Sequence, residues 1–469
     1  MAFESPEAAP QRYAVWLRLL AASHSGLRSE RQAMQWQDGS PAMLQLWFDR
    51  MLTQLDIINQ PSQKDAWQAW ARSHGLNINA YHNMQEALRH YNRDMLTKLV
   101  ASGELDPAQN VESLDRLGEE SAALALALTN LGAGNPTIVD VQLRRQAVDI
   151  QSRTPQGALI GWEREDLGGI EISGSHATLA GHVTDDWYAQ LDLESKRYNA
   201  DALDSGVLGT ENNAQVSLSR KLEDGRIALT VDSSTRADEN RVGLGASRAW
   251  QLGSRDQLEV GLGWNQENLD SGFMRAVGTQ DSVWVAGIHG FTARDQLSWS
   301  LEQRAYGTRY GHSLGNGTAF NMEFNQIQWF EGPTWVARAG IDYQRNNLSG
   351  RNLDDLTVTD GGPIEFATIN ATELLQEEYG RLYAGTSWRR GFPGALNRGQ
   401  PDYTWLVDLQ SGWDWTESQF TYGISAGIGT RVLGDDELAL TIGYQSAPRG
   451  VDAEAGGMLG LTYSKRFGR

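Results

Sequence analysis

Between Tyr403 and Gln445 the chain reads YTWLVDLQSGWDWTESQFTYGISAGIGTRVLGDDELALTIGYQ. Tyr403, Trp405, Val407 and Leu409, then Trp413 and Trp415, alternate with Thr404, Leu406, Asp408, Gln410, Gly412 and Asp414. Phe420, Tyr422, Ile424, Ala426 and Ile428 alternate with Thr421, Gly423, Ser425, Gly427 and Gly429, and Leu438, Leu440, Ile442 and Tyr444 repeat the pattern. A period of two is a strand whose faces meet different surroundings. Here one face is apolar and aromatic, and the other is small, polar or charged. A soluble sandwich shows the same alternation with its apolar face inward, so the connections must arbitrate.

Working outward, the same pattern extends back to about residue 155, and the connections alternate in length. Short ones are Leu222 to Gly225, Leu252 to Asp256, Thr292 to Asp295, Glu331 to Pro333 and Leu433 to Glu437. Long or polar ones fall at 196–213, 233–240, 266–280, 307–317, 346–376 and 447–456. Only 390–402, which should be short, and the region of Glu417, which should be long, break the rule. One rim of tight turns and one of long loops is the layout of an outer-membrane barrel. The expected fold is therefore a transmembrane antiparallel β-barrel of about sixteen strands over 156–469. At that size the lumen can hold an aqueous channel.

Composition agrees. The chain has no cysteine, and Gly 50 and Trp 17 are high for a soluble protein. Trp187, Trp250, Trp264, Trp335, Trp388, Trp413 and Trp415 sit near segment ends, as aromatic girdles require. Mean hydropathy is −0.47, and no apolar run is long enough for a transmembrane helix. A barrel hides its lipid face in alternate residues, so that average does not exclude a membrane. A net charge of −19 argues against nucleic acid as a partner. No export signal follows Met1, so the chain is expected to be the mature C-terminal part of a longer protein.

Residues 1–135 read differently, as helices over Ala14 to Ala22, Leu27 to Trp36, Ala42 to Ile58, Ala66 to His74, Tyr81 to Leu99 and Val111 to Leu131, the last broken near Gly118. Trp67, Trp70, Gly75 and Tyr81 echo the first helix of a tetratricopeptide repeat, and Leu124 to Leu128 with Gly132 and Pro136 echo its close. An ordinary helical bundle fits the same residues. Residues 136–155 are either a linker or a helix entering the barrel.

Helical repeats followed at once by a barrel of this size resemble the outer-membrane exporters of bacterial exopolysaccharides. The acidic character, the final repeats and the closing LGLTYSKRFGR (Leu459 to Arg469) resemble most the C-terminal part of the Pel exporters. Many outer-membrane barrels end on an aromatic residue, whereas here Gly468 and Arg469 follow Phe467. The resemblance implies a non-enzymatic channel that conducts a growing biofilm exopolysaccharide from periplasm to exterior. It further implies a cationic, partly deacetylated galactosamine-type polymer and a ring of small, PelC-like periplasmic lipoproteins below the barrel. A periplasmic polysaccharide deacetylase/hydrolase would dock on the repeats, and outer-membrane lipids would surround the wall. A general porin, a protein-secretion barrel and an outer-membrane hydrolase are the other classes to weigh.

Register assigns a lumen face that includes Tyr188, Asp192, Glu194, Asp232, Glu259, Glu302, Tyr306, Asp342, Tyr383 and Asp408, with arginines such as Arg226, Arg304, Arg338 and Arg381 between them. Acids attract a cationic chain, and aromatic rings let a sugar slide. Equally, opposite charges pair across strands and merely wet the lumen. The loop Asn346 to Glu378 carries Asp354, Asp355, Asp360, Glu365, Glu373 and Glu377. It is either a gate folded over the mouth or a solvated surface loop.

Gly311 to Gly315 (GHSLG) matches a hydrolase nucleophile elbow but lies between two alternating strands, where the required strand, turn and helix are not expected. The histidines lack metal-ligand spacing and no phosphate loop opens a helix, so neither metal nor other cofactor is expected.

Overall fold

The computed structural model describes residues 41–467 apart from 58–60, 74, 91, 133–136, 168, 185, 201–209, 223, 237–238, 253–255, 292–293, 310, 330–332, 350–370, 397–399 and 448–454. The two helices expected before residue 37 lie outside the described residues. Two compact units are present, Met1–Gln146 and Ala147–Arg469.

The first unit contains α1 (Pro41–Ile57), α2 (Pro61–Ser73), α3 (Ala80–Arg89), α4 (Arg93–Ser102), α5 (Pro107–Leu117) and α6 (Glu120–Thr129). The single helix expected over Tyr81 to Leu99 is two. Asn92 ends the first by capping the second, its side chain accepting from the Met95 amide at 3.1 Å. The break expected near Gly118 is there, with that glycine left-handed at φ 82°. Asp106 and Gln109 form a capping box ahead of it, with Pro107 in the first turn.

Apolar packing falls into two clusters. Phe48, Met51, Leu52, Leu55 and Ala71 bury against Trp67 and Trp70. Met84, Ala87, Leu96, Leu105 and Leu117 form the other. Lys64 is fully buried and donates to Asp56 at 2.5 Å, with His82 Nδ1 3.4 Å from the second carboxylate oxygen. Burial raises the Asp56 carboxyl pKa, but the nearby His82 ring and the bonded Lys64 ammonium outweigh it and hold it below its ordinary value. Where the sequence left a linker or a helix open, the structure has α7 (Ile138–Arg153), which spans the boundary between the units. Thr137 caps it, and Asp140 accepts from the Gly132 and Thr137 amides.

The second unit is a closed ring. Its strands are β1 (Gly157–Asp166), β2 (Glu171–His182), β3 (Trp187–Asn199), β4 (Thr210–Leu222), β5 (Gly225–Arg236), β6 (Glu239–Gln251), β7 (Asp256–Glu267) and β8 (Gly278–Gly290), then β9 (Asp295–Thr308), β10 (Ser313–Trp329), β11 (Thr334–Leu348), β12 (Glu378–Arg390), β13 (Tyr403–Asp414), β14 (Gln419–Leu433), β15 (Asp436–Gln445) and β16 (Gly456–Arg466). Each strand pairs antiparallel with its chain neighbours, and β1 pairs with β16 from Gly157↔Arg466 to Glu165↔Met458. Closure leaves no edge, which a wall in lipid requires because its backbone groups have no water to bond.

Register sorts the two faces as the alternation predicts. Ile160, Leu382, Ile428 and Ile442 stand outward and exposed, in the positions that meet lipid. Trp335 stacks on Trp388 at one end of the wall and Tyr343 on Trp415 at the other. β1 begins and β16 ends at what we term the near rim; the connections after β1, β3, β5 and so on form the far rim. The two exceptions to the loop rule are genuine. Residues 415–418 make a tight far-rim turn, and 391–402 make a longer near-rim connection.

Candidate functional site

The lumen is built from every second residue, and its long polar side chains reach over glycines. Arg338 on β11 lies across Gly385 of β12 to hold Asp408 of β13 through two bonds of 2.6 Å. A Cβ at Gly385 would come within 3.0 Å of that guanidinium. Tyr383 on β12 crosses Gly340 in the same way to donate to Glu323 of β10 at 2.9 Å. Small residues in one strand thus let polar groups two strands apart bond directly.

Most of the acids that register assigned inward are held by cations. Glu194 pairs with Lys196 at 2.7 Å, Glu302 with Arg304 at 2.6 Å and Asp342 with Arg381 at 2.8 Å. Asp232 pairs with Arg241 and Asp408 with Arg338. Asp192 differs: among the described residues it accepts only from the neutral Thr178 hydroxyl and Gln190 amide, at 2.7 and 2.8 Å. Tyr188 donates to the Pro155 carbonyl at 2.9 Å, next to the start of the barrel. Glu259 has no hydrogen bond or ion pair among the described residues. Tyr306 does not line open lumen. It is buried, donating to Asn346 at 3.0 Å beneath a plug of far-rim segments.

That plug is the largest feature that sequence reasoning missed. The connection between β7 and β8 contains a short helix, α8 (Gly272–Val277), whose Met274, Ala276 and Val277 are buried. Arg275 donates to Glu165 on β1 at 2.7 Å, and its carbonyl faces the Tyr198 hydroxyl of β3 at 3.5 Å. Asp270, just before the helix, accepts from Arg304 on β9 at 2.5 Å and from Gln344 on β11 at 3.0 Å. In a ring of sixteen, β1–β3 and β9–β11 face each other across the lumen. A segment bonded to both crosses it. Ile170, Tyr198, Met274, Leu314 and Leu374 close around this crossing as one apolar cluster.

A second helix, α9 (Ala371–Leu374), joins the cluster from the long β11–β12 connection, and the Leu374 carbonyl accepts from Ser271 Oγ at 2.7 Å. Of the acids expected in that loop, Asp354, Asp355, Asp360 and Glu365 lie outside the described residues. Glu373 falls in α9, and Glu377 follows it, exposed. From the β9–β10 connection Arg309 reaches Glu211 on β4, which also accepts from Arg236 at 2.6 Å and Tyr198 at 2.8 Å. The sequence signal for the plug was a cluster of apolar residues, Phe273, Met274, Ala276 and Val277, interrupted by Arg275, inside a long far-rim connection.

The described part of the near-rim connection, 391–396 and 400–402, also folds inward but stays against the wall. Arg466 donates to the Ala395 carbonyl at 3.1 Å, the Gly394 amide donates to Glu437 at 3.3 Å, and Leu396 is buried against Gly157. Arg389 sits 4.3 Å from the centre of the Phe392 ring. Ser313, the serine of GHSLG, opens strand β10 rather than a helix, so the elbow geometry is not formed.

A closed sixteen-strand wall with a polar inward face and a far-rim plug can conduct or hold a polar polymer. The PelB, C-terminal beta barrel domain matches residues 152–466. The chain belongs to this PelB barrel family. As a member it is an outer-membrane barrel of exopolysaccharide export, with a helical region preceding it. No curated protein matches the chain. Among solved structures, a "Bacterial polysaccharide outer membrane secretin" shares 10% identity over 67% of this chain and 99% of its own, at a TM-score of 0.48. Wzi of Escherichia coli, titled a carbohydrate-binding β-barrel involved in group 1 capsule assembly, shares 8% identity over 74% of this chain and 92% of its own, at 0.35. Likenesses at these scores carry no functional weight.

Proposed function

We propose that this exopolysaccharide channel passes a cationic, partly deacetylated polymer of the Pel type, and that the far-rim plug is its resting closure. The observation carrying the charge preference is a pair of carboxylates on the inward wall that no cation holds. Among the described residues, the cations Arg241, Arg304, Arg338 and Arg381 are each held by an acid, Arg226 and Arg389 have no ion pair, Asp192 meets only neutral donors and Glu259 meets no partner. A passing ammonium group therefore finds carboxylates that no cation holds among the described residues. Conduction is favoured by such weak, separate contacts over one tight site. The loop 346–378 contributes α9 to the plug, and its acids Asp354, Asp355, Asp360 and Glu365 would draw the polymer to the mouth as it opens. The helical unit lies in the periplasm and docks the partners: a deacetylase/hydrolase, and the PelC-like lipoprotein ring below the barrel.

Planar-bilayer recording tests this on the whole chain and on a variant with 268–277 replaced by a flexible linker. The expected result is a closed wild type and a cation-selective variant. An anion-selective variant overturns the cationic reading, and an open, unselective wild type makes the chain a general porin. Deleting the helical unit should abolish polymer secretion without changing the conductance.

A further inference from the structure

Of the tryptophans placed by register on the membrane-spanning strands, Trp284 points the other way. Trp299, Trp335, Trp388, Trp405 and Trp413 stand on the outward face. Trp284 on β8 pairs with Gly261 of β7 on one side and with Glu302 of β9 on the other, so its indole is inside. It lies flat against Gly261, where an added Cβ would fall 2.4 Å from the ring. The outer part of the ring remains half-exposed to the lumen, two residues below the buried Ser282. Among the described residues nothing stacks on it and nothing bonds its Nε1.

Glu259 is the diagonal neighbour, one inward position nearer the near rim. It is flanked across the strands by Ala249 and Ala286, whose methyl groups leave its carboxylate uncovered. The other inward positions around it on β6, β7 and β8 are Ser247, Gln251, Gln257, Gly261, Trp284 and Ile288, none of them a cation, while Arg226 on β5, inward beyond Ala249, makes no ion pair with it. A bare aromatic face beside a half-exposed carboxylate, unpaired among the described residues, is the pair of groups a protonated amino sugar uses. The C–H face of the ring stacks on the indole and the ammonium meets the acid.

We infer that Trp284 and Glu259 form a hexosamine-binding subsite at mid-height in the lumen, on the near side of the plug. It rests on the export reading and goes further by naming where one sugar of the polymer sits. Indole stacking is indifferent to acetylation, whereas the carboxylate favours the free amine. The subsite therefore grips a deacetylated unit more tightly than an acetylated one.

The test is titration of the detergent-solubilised full chain with a glucosamine tetramer and with an N-acetylglucosamine tetramer. Trp284→Ala should weaken both about tenfold. Glu259→Gln should weaken only the glucosamine tetramer, about fivefold, and remove the preference for it. Trp284→Phe should recover most of the lost binding, which separates stacking from a folding defect. Heat-shifted electrophoretic mobility checks that each variant keeps its barrel. The subsite is overturned if the wild type binds neither tetramer, if both variants bind like the wild type, or if Glu259→Gln weakens the two tetramers equally. Polymer secretion by cells carrying a deletion of the whole barrel separates the two claims. Persistent secretion removes the export reading and leaves the binding data standing, whereas lost secretion with unaltered variant binding removes the subsite alone.

Discussion

The two mouths of the barrel are closed by different means. At the far rim, 268–277 crosses the lumen, anchored to β1 and β3 on one side and to β9 and β11 on the other. At the near rim, the described part of 391–402 folds inward yet stays on one side of the ring, bonding β14, β15 and β16 through Arg431, Glu437 and Arg466. The far segment carries an apolar helix that can be buried only against residues from several strands. The near one carries Pro393 and Leu396, which pack on Gly427 of β14 and Gly157 of β1 along the same side of the wall. A loop spans a lumen when its anchors lie on opposite strands, and hugs the wall when they lie along one side of the ring.

The largest effect should come from removing the crossing segment. Replacing 268–277 by a flexible linker should raise conductance by about tenfold or more, because a sixteen-strand lumen is otherwise wide enough for water. No change would mean that the lumen is shut elsewhere and that the two mouths are equivalent. Next in size, Met274→Ser should weaken plug docking by about 3 kcal/mol, the loss typical of a deleted buried side chain. Frequent short openings in single-channel records would show it, and silence would assign closure to α9 instead. At the near rim, Arg466→Ala should free the loop from Ala395 and alter conductance less than about twofold, since that loop covers only part of the wall. An effect as large as that of plug removal would erase the contrast.

The helical unit supplies a control away from both mouths. Lys64→Met strands Asp56 beside His82 and should cost that unit about 3 kcal/mol, seen as faster hydrogen exchange in α1 and α2 with conductance unchanged. The smallest effect concerns pH. The amides of Gly132 and Thr137, with the Thr137 hydroxyl, hold Asp140 down to a pKa of about 2. A carboxylate whose folded pKa lies below its unfolded value of about 4 contributes stability above that value and loses it as pH falls toward 2. Exchange at 137–141 should therefore rise between pH 4 and 2, and Asp140→Asn should remove the change.

The strands, their facing and the order of helices before barrel were written in local pattern. Alternation at Tyr403 to Leu409 sets a face because successive side chains on a strand point oppositely, whatever the neighbours are. The inward placement of Asp192, Glu259 and Asp408 followed from the same rule. What each inward residue meets was not local. Asp408 is reached by Arg338 only because Gly385 lies between them, and Trp284 is bare only because Gly261, Ala249 and Ala286 surround the site. The split of Tyr81 to Leu99 escaped because Asn92 within a helical period reads as one more polar residue until its side chain is seen to cap.

By itself, then, the sequence determined a closed antiparallel wall with a helical region ahead of it, since periods of 2.0 and 3.6 are properties of the backbone. Only the tertiary structure decided that the far mouth is plugged, which acids remain unpaired among the described residues, and that 391–402 turns inward. Those outcomes depend on residues about a hundred positions apart or more, such as Arg309 and Glu211, Ser271 and Leu374, or Leu396 and Gly157, meeting around a ring. No local pattern records such a meeting, because it exists only once β1 has found β16.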